Sequence, residues 1–277
     1  EQWTDEPQWL DERSTLVSEQ GQDMKWALVA IVVAATIKEP PRGLADHGYS
    51  VEAAAAAAKA QGNPPGFGET IRFLWAKRSF RHIAMAASLH SLVGFGVGNF
   101  VPSYIIRAHD MAIGDIGWRL ALIFGIGGAF GVAFSGWLTD RLSVRGQQWY
   151  MWVPTIALVL TLPLTLLTFL ADTPGAMFLA YAPYSILGAM WLGPSLAITH
   201  SLVGLRQRAV ASATLFFLLN LIGMGLGPLT IGALSDLMRP EFGDAGGLRN
   251  AIIGGALVCK SWCVVHFLLA ARLLKHD

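Results

Sequence analysis

The chain reads as an all-α membrane protein, a polytopic helix bundle with six transmembrane spans. Three observations carry that reading. Charged residues make up 14% of the 277 positions and apolar residues 53%, with a mean hydropathy of +0.48; soluble domains carry roughly 25% charge. Cutting the sequence at its charges leaves six long uncharged runs. Within those runs, small residues recur every fourth position, the spacing that lets transmembrane helices approach closely. A membrane β-barrel would instead alternate apolar and polar residues over about 10 positions.

The runs can be taken in order. Twenty-five uncharged residues lie between Arg81 and Arg107, 20 between Arg119 and Asp140, 26 between Arg145 and Asp172, and 33 between Asp172 and Arg206. The fifth run, 209–235, has 27 residues, and the sixth, 250–271, has 22 broken only by Lys260. About 20 residues cross a bilayer as a helix, so each run predicts one span. Residues 26–37 form a twelve-residue apolar run. That is too short to span, and it reads as the cytosolic end of a helix whose beginning is missing or altered. Residues 1–23 are polar and lack the basic-then-apolar order of a signal peptide. The predicted organisation is a polar segment (1–23), a partial transmembrane helix (24–37), a cytosolic linker with an amphipathic helix (38–79) and a six-helix bundle (80–277).

Charge sets the orientation. With the 38–81 segment cytosolic, that side holds thirteen Lys and Arg and the opposite side four: Arg107, Arg119, Arg239 and Arg249. This is the positive-inside asymmetry. Net charge is +1, so no nucleic-acid footprint is present. The mixture of Ile71, Leu74 and Trp75 with Arg72, Lys77, Arg78 and Arg81 predicts an amphipathic helix over 69–81 at the cytosolic face; a solvated linker is the competing reading.

Polar groups at membrane depth face a bundle interior or a wet cavity. On that ground the candidates for a substrate path are His90, Asn99 and Tyr104 in the first span, Tyr184, Trp191 and Ser195 in the fourth, and Phe216 and Asn220 in the fifth. Hydrogen bonding between helices without a ligand is the alternative. Gly136, Asp140, Arg141 and Arg145 form a cytosolic loop motif between the second and third spans. Asp140 there can stabilise a neighbouring helix N-terminus or pair with Arg206 or Arg208. Small-residue faces recur at Gly127, Gly131 and Ser135, at Gly117, Ala121, Gly125, Ala129 and Ala133, and at Gly223 and Gly227. Lys260 can snorkel, pair inward or touch substrate. Cys259, Cys263 and His266 share a helical face but have no evident fourth ligand, so no metal site is assigned. No cofactor motif and no catalytic constellation occurs, and no acid lies within a span.

Four stretches carry a resemblance. They are Glu39-Pro40-Pro41-Arg42-Gly43, Gly136-Trp137-Leu138-Thr139-Asp140-Arg141, Gly188-Ala189-Met190-Trp191-Leu192-Gly193-Pro194-Ser195, and the fifth span from Arg208 through Asn220 and Pro228 to Asp236. Over residues 24–275 the chain resembles the C-terminal half of a major facilitator superfamily transporter of the spinster-like branch. Ser143 and Val144 stand where that family's loop motif usually has glycine and a basic residue. The resemblance implies one six-helix half of a major facilitator fold. The whole would have twelve helices, a path between two halves, and alternating access by rocking. It implies that the first, second, fourth and fifth spans line the path, that Arg208 begins the fifth helix beside the Asp140 loop, and that an N-terminal half absent from this chain completes the path.

The expected function is secondary transport of a small organic or amphiphilic, lipid-like solute across a lipid bilayer, in a bacterial cytoplasmic membrane. Spinster-like members carry lysolipids and sphingoid phosphates. Two rivals are a non-transporting module or truncated half-transporter, and a membrane-embedded lipid enzyme. The enzyme reading needs a surface His/Asp or carboxylate constellation, which is not found.

Overall fold

The computed structural model describes residues 66–274, together with Thr36 and Glu52. The polar segment 1–23, the partial span 24–37 and the linker up to residue 65 otherwise lie outside the described residues.

The first described helix is α1 (Phe67–Ala76). It is amphipathic: Leu74 is fully buried against a cluster that includes Phe80, Ala84, Ala211 and Leu215, while Phe67, Phe73 and Trp75 are exposed. Gln207 Nε2 donates to Thr70 Oγ1 at 3.3 Å, tying α1 to the start of the fifth span. The amphipathic helix expected over 69–81 ends early, because Lys77 is extended (φ −73°, ψ 119°). Arg78 and Arg81 belong to the next helix.

That helix, α2 (Arg78–His109), is the first span and ends on Asp110 in the left-handed conformation, with φ 51°. The second span is α3 (Ile113–Leu122), a π-helical turn Ile123–Gly127, and α4 (Gly128–Ser143). The third is α5 (Trp149–Phe169). The fourth is α6 (Pro174–Ala189) followed by α7 (Leu192–Ser201). Thr173 caps α6 by accepting from Ala176 N–H at 3.3 Å, with Pro174 in the first turn where its missing N–H costs nothing. A short 3₁₀ turn, Leu205–Gln207, leads into α8 (Arg208–Leu273).

Among the described residues, five continuous helical stretches are long and apolar enough to cross a membrane, yet the sequence contains six runs. The difference lies in α8. Its 66 residues would extend about 99 Å if straight, some three times a bilayer core of about 30 Å. Gly243 is non-helical (φ 70°, ψ 177°), and the helix turns there. A Cβ on Gly255 would lie 2.8 Å from Ile231, and one on Gly247 would lie 3.0 Å from the Ser235 carbonyl oxygen. Residues 231 and 255 would be about 36 Å apart in a straight helix. The two limbs of α8 are therefore the fifth and sixth spans, folded antiparallel. Arg239 closes the hairpin by pairing with Asp236 and, at 3.2 Å, with Asp244.

Close packing is built from glycine. A Cβ on Gly227 would meet the Leu92 carbonyl oxygen at 2.5 Å, and one on Gly96 would meet the Gly227 carbonyl oxygen at 2.8 Å. Gly223 abuts Ser91 in the same seam, so the first and fifth spans cross backbone to backbone. In the second span, Gly131 abuts the Ile186 carbonyl of α6. The other stripe of that span behaves differently: Gly117, Ala121, Gly125, Ala129 and Ala133 are all exposed. The core lies in two levels. One cluster, towards the end that carries the α8 hairpin, joins Val97, Val101, Tyr104, Phe169, Tyr181 and Ile252. Another, towards the opposite end, joins Ile83, Met151, Leu158, Ile198 and Phe267.

Candidate functional site

Between those two levels, two spans lose regular helical geometry. In the second span the π-helical turn Ile123–Gly127 widens the helix at Phe124; such turns recur at functional sites. In the fourth span α6 and α7 part at Met190 and Trp191. Pro194 explains the break: it has no N–H to offer the Met190 carbonyl, and its ring crowds that carbonyl.

A cavity of about 210 Å³ opens beside both irregularities. His90, Val93, Gly94, Val97 and Gly98 of α2 form one wall, and Phe124 and Gly128 of the second span another. Tyr181, Tyr184, Ser185, Gly188 and Ala189 of α6 form a third, and Lys260 enters from the second limb of α8. The glycines leave room because none carries a side chain. Tyr181 and Tyr184 stack at 5.4 Å, and Phe124 meets Tyr181 edge-on at 5.8 Å. Lys260 lies about 20 Å along its helix from Leu273, and His90 about 18 Å along α2 from Arg78. Both are near the middle of a membrane.

Lys260 is 2% exposed. Its Nζ donates to Thr161 Oγ1 at 3.1 Å and sits 3.7 Å above the Tyr184 ring centroid. Thr161 gives its own proton to the Leu158 carbonyl at 2.7 Å, which leaves its lone pairs for the lysine. A lysine at mid-membrane costs about 2.5–3.5 kcal/mol on insertion scales. A desolvated cation–π contact contributes about 2 kcal/mol and a hydrogen bond to a charged group about 1.5–3 kcal/mol. Those two contacts are of the size needed to hold an ammonium at this depth. They engage two of its three donors. His90 packs its ring 5.0 Å from Trp191, and its buried Nδ1 has no hydrogen-bond partner among the described residues.

The structure brings three of the sequence-predicted residues together here: His90 and Tyr184 on the wall, and Trp191 behind His90. Ser195 is buried one turn into α7, on the segment whose Gly193 faces Ser135. Tyr104 lies away from the cavity and donates its hydroxyl to the Phe169 carbonyl at 2.8 Å. Asn99 is exposed. Asn220 Nδ2 donates to the Phe216 carbonyl of its own helix at 2.8 Å, and neither residue lines this cavity. The first, second, fourth and sixth spans line this cavity; the fifth, expected with the first, second and fourth along a path, contributes no lining residue to it. Lys260 was left with three readings by the sequence, and it turns inward. Phe124 carried no sequence signal; its place depends on the π turn.

At the end of the bundle that carries the α4–α5 turn, Asp140 takes a hydrogen bond from Tyr150 Oη at 3.4 Å. The sequence offered a neighbouring helix N-terminus, or Arg206 or Arg208, as its partner; the contact seen is with a tyrosine hydroxyl. The short connection after α4 brings the Tyr150 side chain, from the first turn of α5, to Asp140. Arg141 lies 5.8 Å from the Trp137 ring, Arg145 is exposed, and Arg208 begins α8 partly buried. A Cβ on Gly136 would meet nothing within 4 Å. Of the Cys259, Cys263 and His266 face, Cys263 Sγ donates to the Ala86 carbonyl at 3.1 Å, and His266 Nδ1 meets His82 Nδ1 at 2.8 Å.

The chain belongs to the Major Facilitator Superfamily, whose sequence pattern matches residues 26–270. It is thus an integral, multi-pass membrane protein of a transporter family. An MFS-type efflux pump of Mycolicibacterium smegmatis is 29% identical over 199 residues, which are 72% of this chain and 46% of the pump. The fold resembles two crystal structures of a bacterial homologue of the human lysosomal transporter Spinster, both inward-facing. The unoccupied form gives a TM-score of 0.70 at 22% identity, covering 76% of this chain and 51% of that one. The occupied form gives 0.65 at 22%, covering 81% and 56%. The chain spans about half the length of these relatives.

Proposed function

We propose that the chain forms the C-terminal half of a twelve-helix secondary transporter that moves a small organic or amphiphilic solute by alternating access. Its setting is a bacterial cytoplasmic membrane, and its partner is a six-helix N-terminal half. The observation that carries this reading is the mid-depth cavity beside the two broken spans. Discontinuous helices around a midplane site are how secondary transporters expose polar groups to a solute. The apolar side chains that the second span leaves exposed, Trp118, Leu122, Phe124, Ile126 and Phe130 among them, support a further bundle packing against this one. The efflux pump similar to this chain favours a solute moved outward. His90, Tyr184, Trp191 and Lys260 are the residues assigned to the solute. Gly136, Asp140 and Arg145 are assigned to a cytosolic gate, with the Asp140–Tyr150 contact as the part that opens.

The test is flux into proteoliposomes holding the complete twelve-helix protein. The probes are one anionic and one cationic aromatic amphiphile, 1-naphthoate and ethidium, under an imposed proton gradient. Gradient-dependent accumulation of either is expected. Trp191→Ala should cut it about tenfold, the scale of one lost packing contact in a binding site. Asn220→Ala should leave it unchanged. No accumulation of either probe would sink the reading.

A further inference from the structure

Among the described residues, Lys260 is the only Lys, Arg, Asp or Glu on the wall of the cavity. It is held there by neutral groups: the Thr161 hydroxyl and the Tyr184 ring. No span of this chain supplies an acid to neutralise it, since the six runs contain no Asp or Glu. Two of its donors are engaged, and the third has no acceptor among the described residues. A second group in the same wall is also unsatisfied: His90 Nδ1 is buried and without a hydrogen-bond partner. Apart from the Ser185 hydroxyl, the remaining lining is apolar: Phe124, Tyr181 and Tyr184 with Val93, Val97, Ala189 and four glycines.

A buried cation with a spare donor, an imidazole Nδ1 without a hydrogen-bond partner among the described residues, and walls rich in aromatic and apolar groups specify a ligand by complement. We propose that the cavity binds a monoanionic organic solute, a carboxylate on a flat apolar body, with Lys260 as counter-charge and His90 as a second hydrogen-bond donor. The proposal deepens the transport reading and takes from it the idea that the cavity is a solute site. The carboxylate accepts from Lys260 Nζ and from His90 in the tautomer that carries its proton on Nδ1. The apolar body lies against Tyr181 and Phe124. Glycines 94, 98, 128 and 188 give it width. A cationic amphiphile would leave Lys260 facing a like charge in a low-dielectric site, which disfavours it.

Binding is measured separately from flux. The full chain is purified in detergent, and bound tritiated 1-naphthoate is displaced by unlabelled 1-naphthoate, by neutral 1-naphthalenemethanol and by cationic 1-naphthylmethylammonium. These share one apolar body and differ in charge. The neutral analogue should bind about tenfold more weakly, the loss expected for one charge-assisted contact, and the cation should not compete. Lys260→Met should weaken 1-naphthoate by about tenfold and erase the ranking, whereas Lys260→Arg keeps it. Size-exclusion profiles of both variants guard against misfolding, and His90→Ala provides a further variant with a smaller loss. Absence of 1-naphthoate binding, equal binding of the three probes, or an unchanged ranking in a folded Lys260→Met would overturn the proposal. Charge-selective binding without flux in proteoliposomes would instead uphold it and count against transport.

Discussion

Tyr104 and Lys260 show how differently two polar groups inside a span can be used. Tyr104 gives its hydroxyl to the Phe169 carbonyl and its ring to the Phe169 ring, 5.3 Å away. It pins the outer end of the first span to that of the third, and nothing in it is left over for a ligand. Tyr104→Phe keeps the ring and removes one hydrogen bond, worth about 1 kcal/mol. The melting temperature should fall by about 2–4 °C, read by a thermal-shift assay, with 1-naphthoate affinity unchanged. Lys260 is the reverse case, a group whose bonding is incomplete within the chain. Neither use was legible in the sequence. A tyrosine hydroxyl near a helix end and a lone lysine in an apolar run both allow several partners, and only the third dimension selects Phe169 for one and Thr161 for the other. Asn220 illustrates the same point in the other direction. An amide in an apolar run suggests a path, but a carbonyl four residues back was always within its reach.

The elements were far more legible, because a bilayer imposes a length. Six uncharged runs became six spans, the last two being the limbs of α8 on either side of the break at Gly243. Gly243 is what permits that hairpin. Its φ of 70° and ψ of 177° lie in a region essentially reserved for glycine, where another residue costs about 1–3 kcal/mol. Gly243→Ala should therefore lower thermal stability while leaving the outer ion pairs of Arg239 in place. Small-residue stripes were legible as stripes, but not by role. Gly227 faces Leu92 and Gly96 across a backbone crossing, whereas Gly117 faces open space. Gly227→Val should overpack the seam by about 1–3 kcal/mol or more and reduce the yield of folded protein in size-exclusion chromatography. Gly117→Val should change stability by less than about 0.5 kcal/mol in this chain. Equal effects of the two would mean that the first and fifth spans do not cross at Gly227. What the sequence could not announce was the π turn at Ile123–Gly127, since Gly125, Gly127 and Gly128 read equally as a close-packing stripe and no proline marks it. The break at Trp191 was better signposted, by Pro194, although proline inside Pro154-containing α5 leaves that helix continuous.

At the scale of the molecule, the spans and their charges must agree on one orientation. Thirteen Lys and Arg against four argue that Arg78, the α4–α5 turn and the end of α8 face the cytosol. The fold is consistent with one side for all three. Tyr150 meets Asp140 at one end of the bundle, while Tyr104 meets Phe169, and Arg239 meets Asp244, at the other. Val144 in the α4–α5 turn is 89% exposed, and Asp244 lies beside the α8 hairpin on the opposite end. Each can be replaced by cysteine in a chain whose Cys259 and Cys263 are changed to alanine. In intact cells, a membrane-impermeant maleimide should label Asp244→Cys and spare Val144→Cys; after permeabilisation it should label both. The reverse pattern would invert the bundle, place the Asp140–Tyr150 contact outside, and remove the basis for a cytosolic gate there. It would leave the cavity untouched, because Lys260 and His90 sit near mid-depth whichever end faces in. Orientation thus governs the direction in which a solute leaves, while the chemistry of the cavity governs which solute is held.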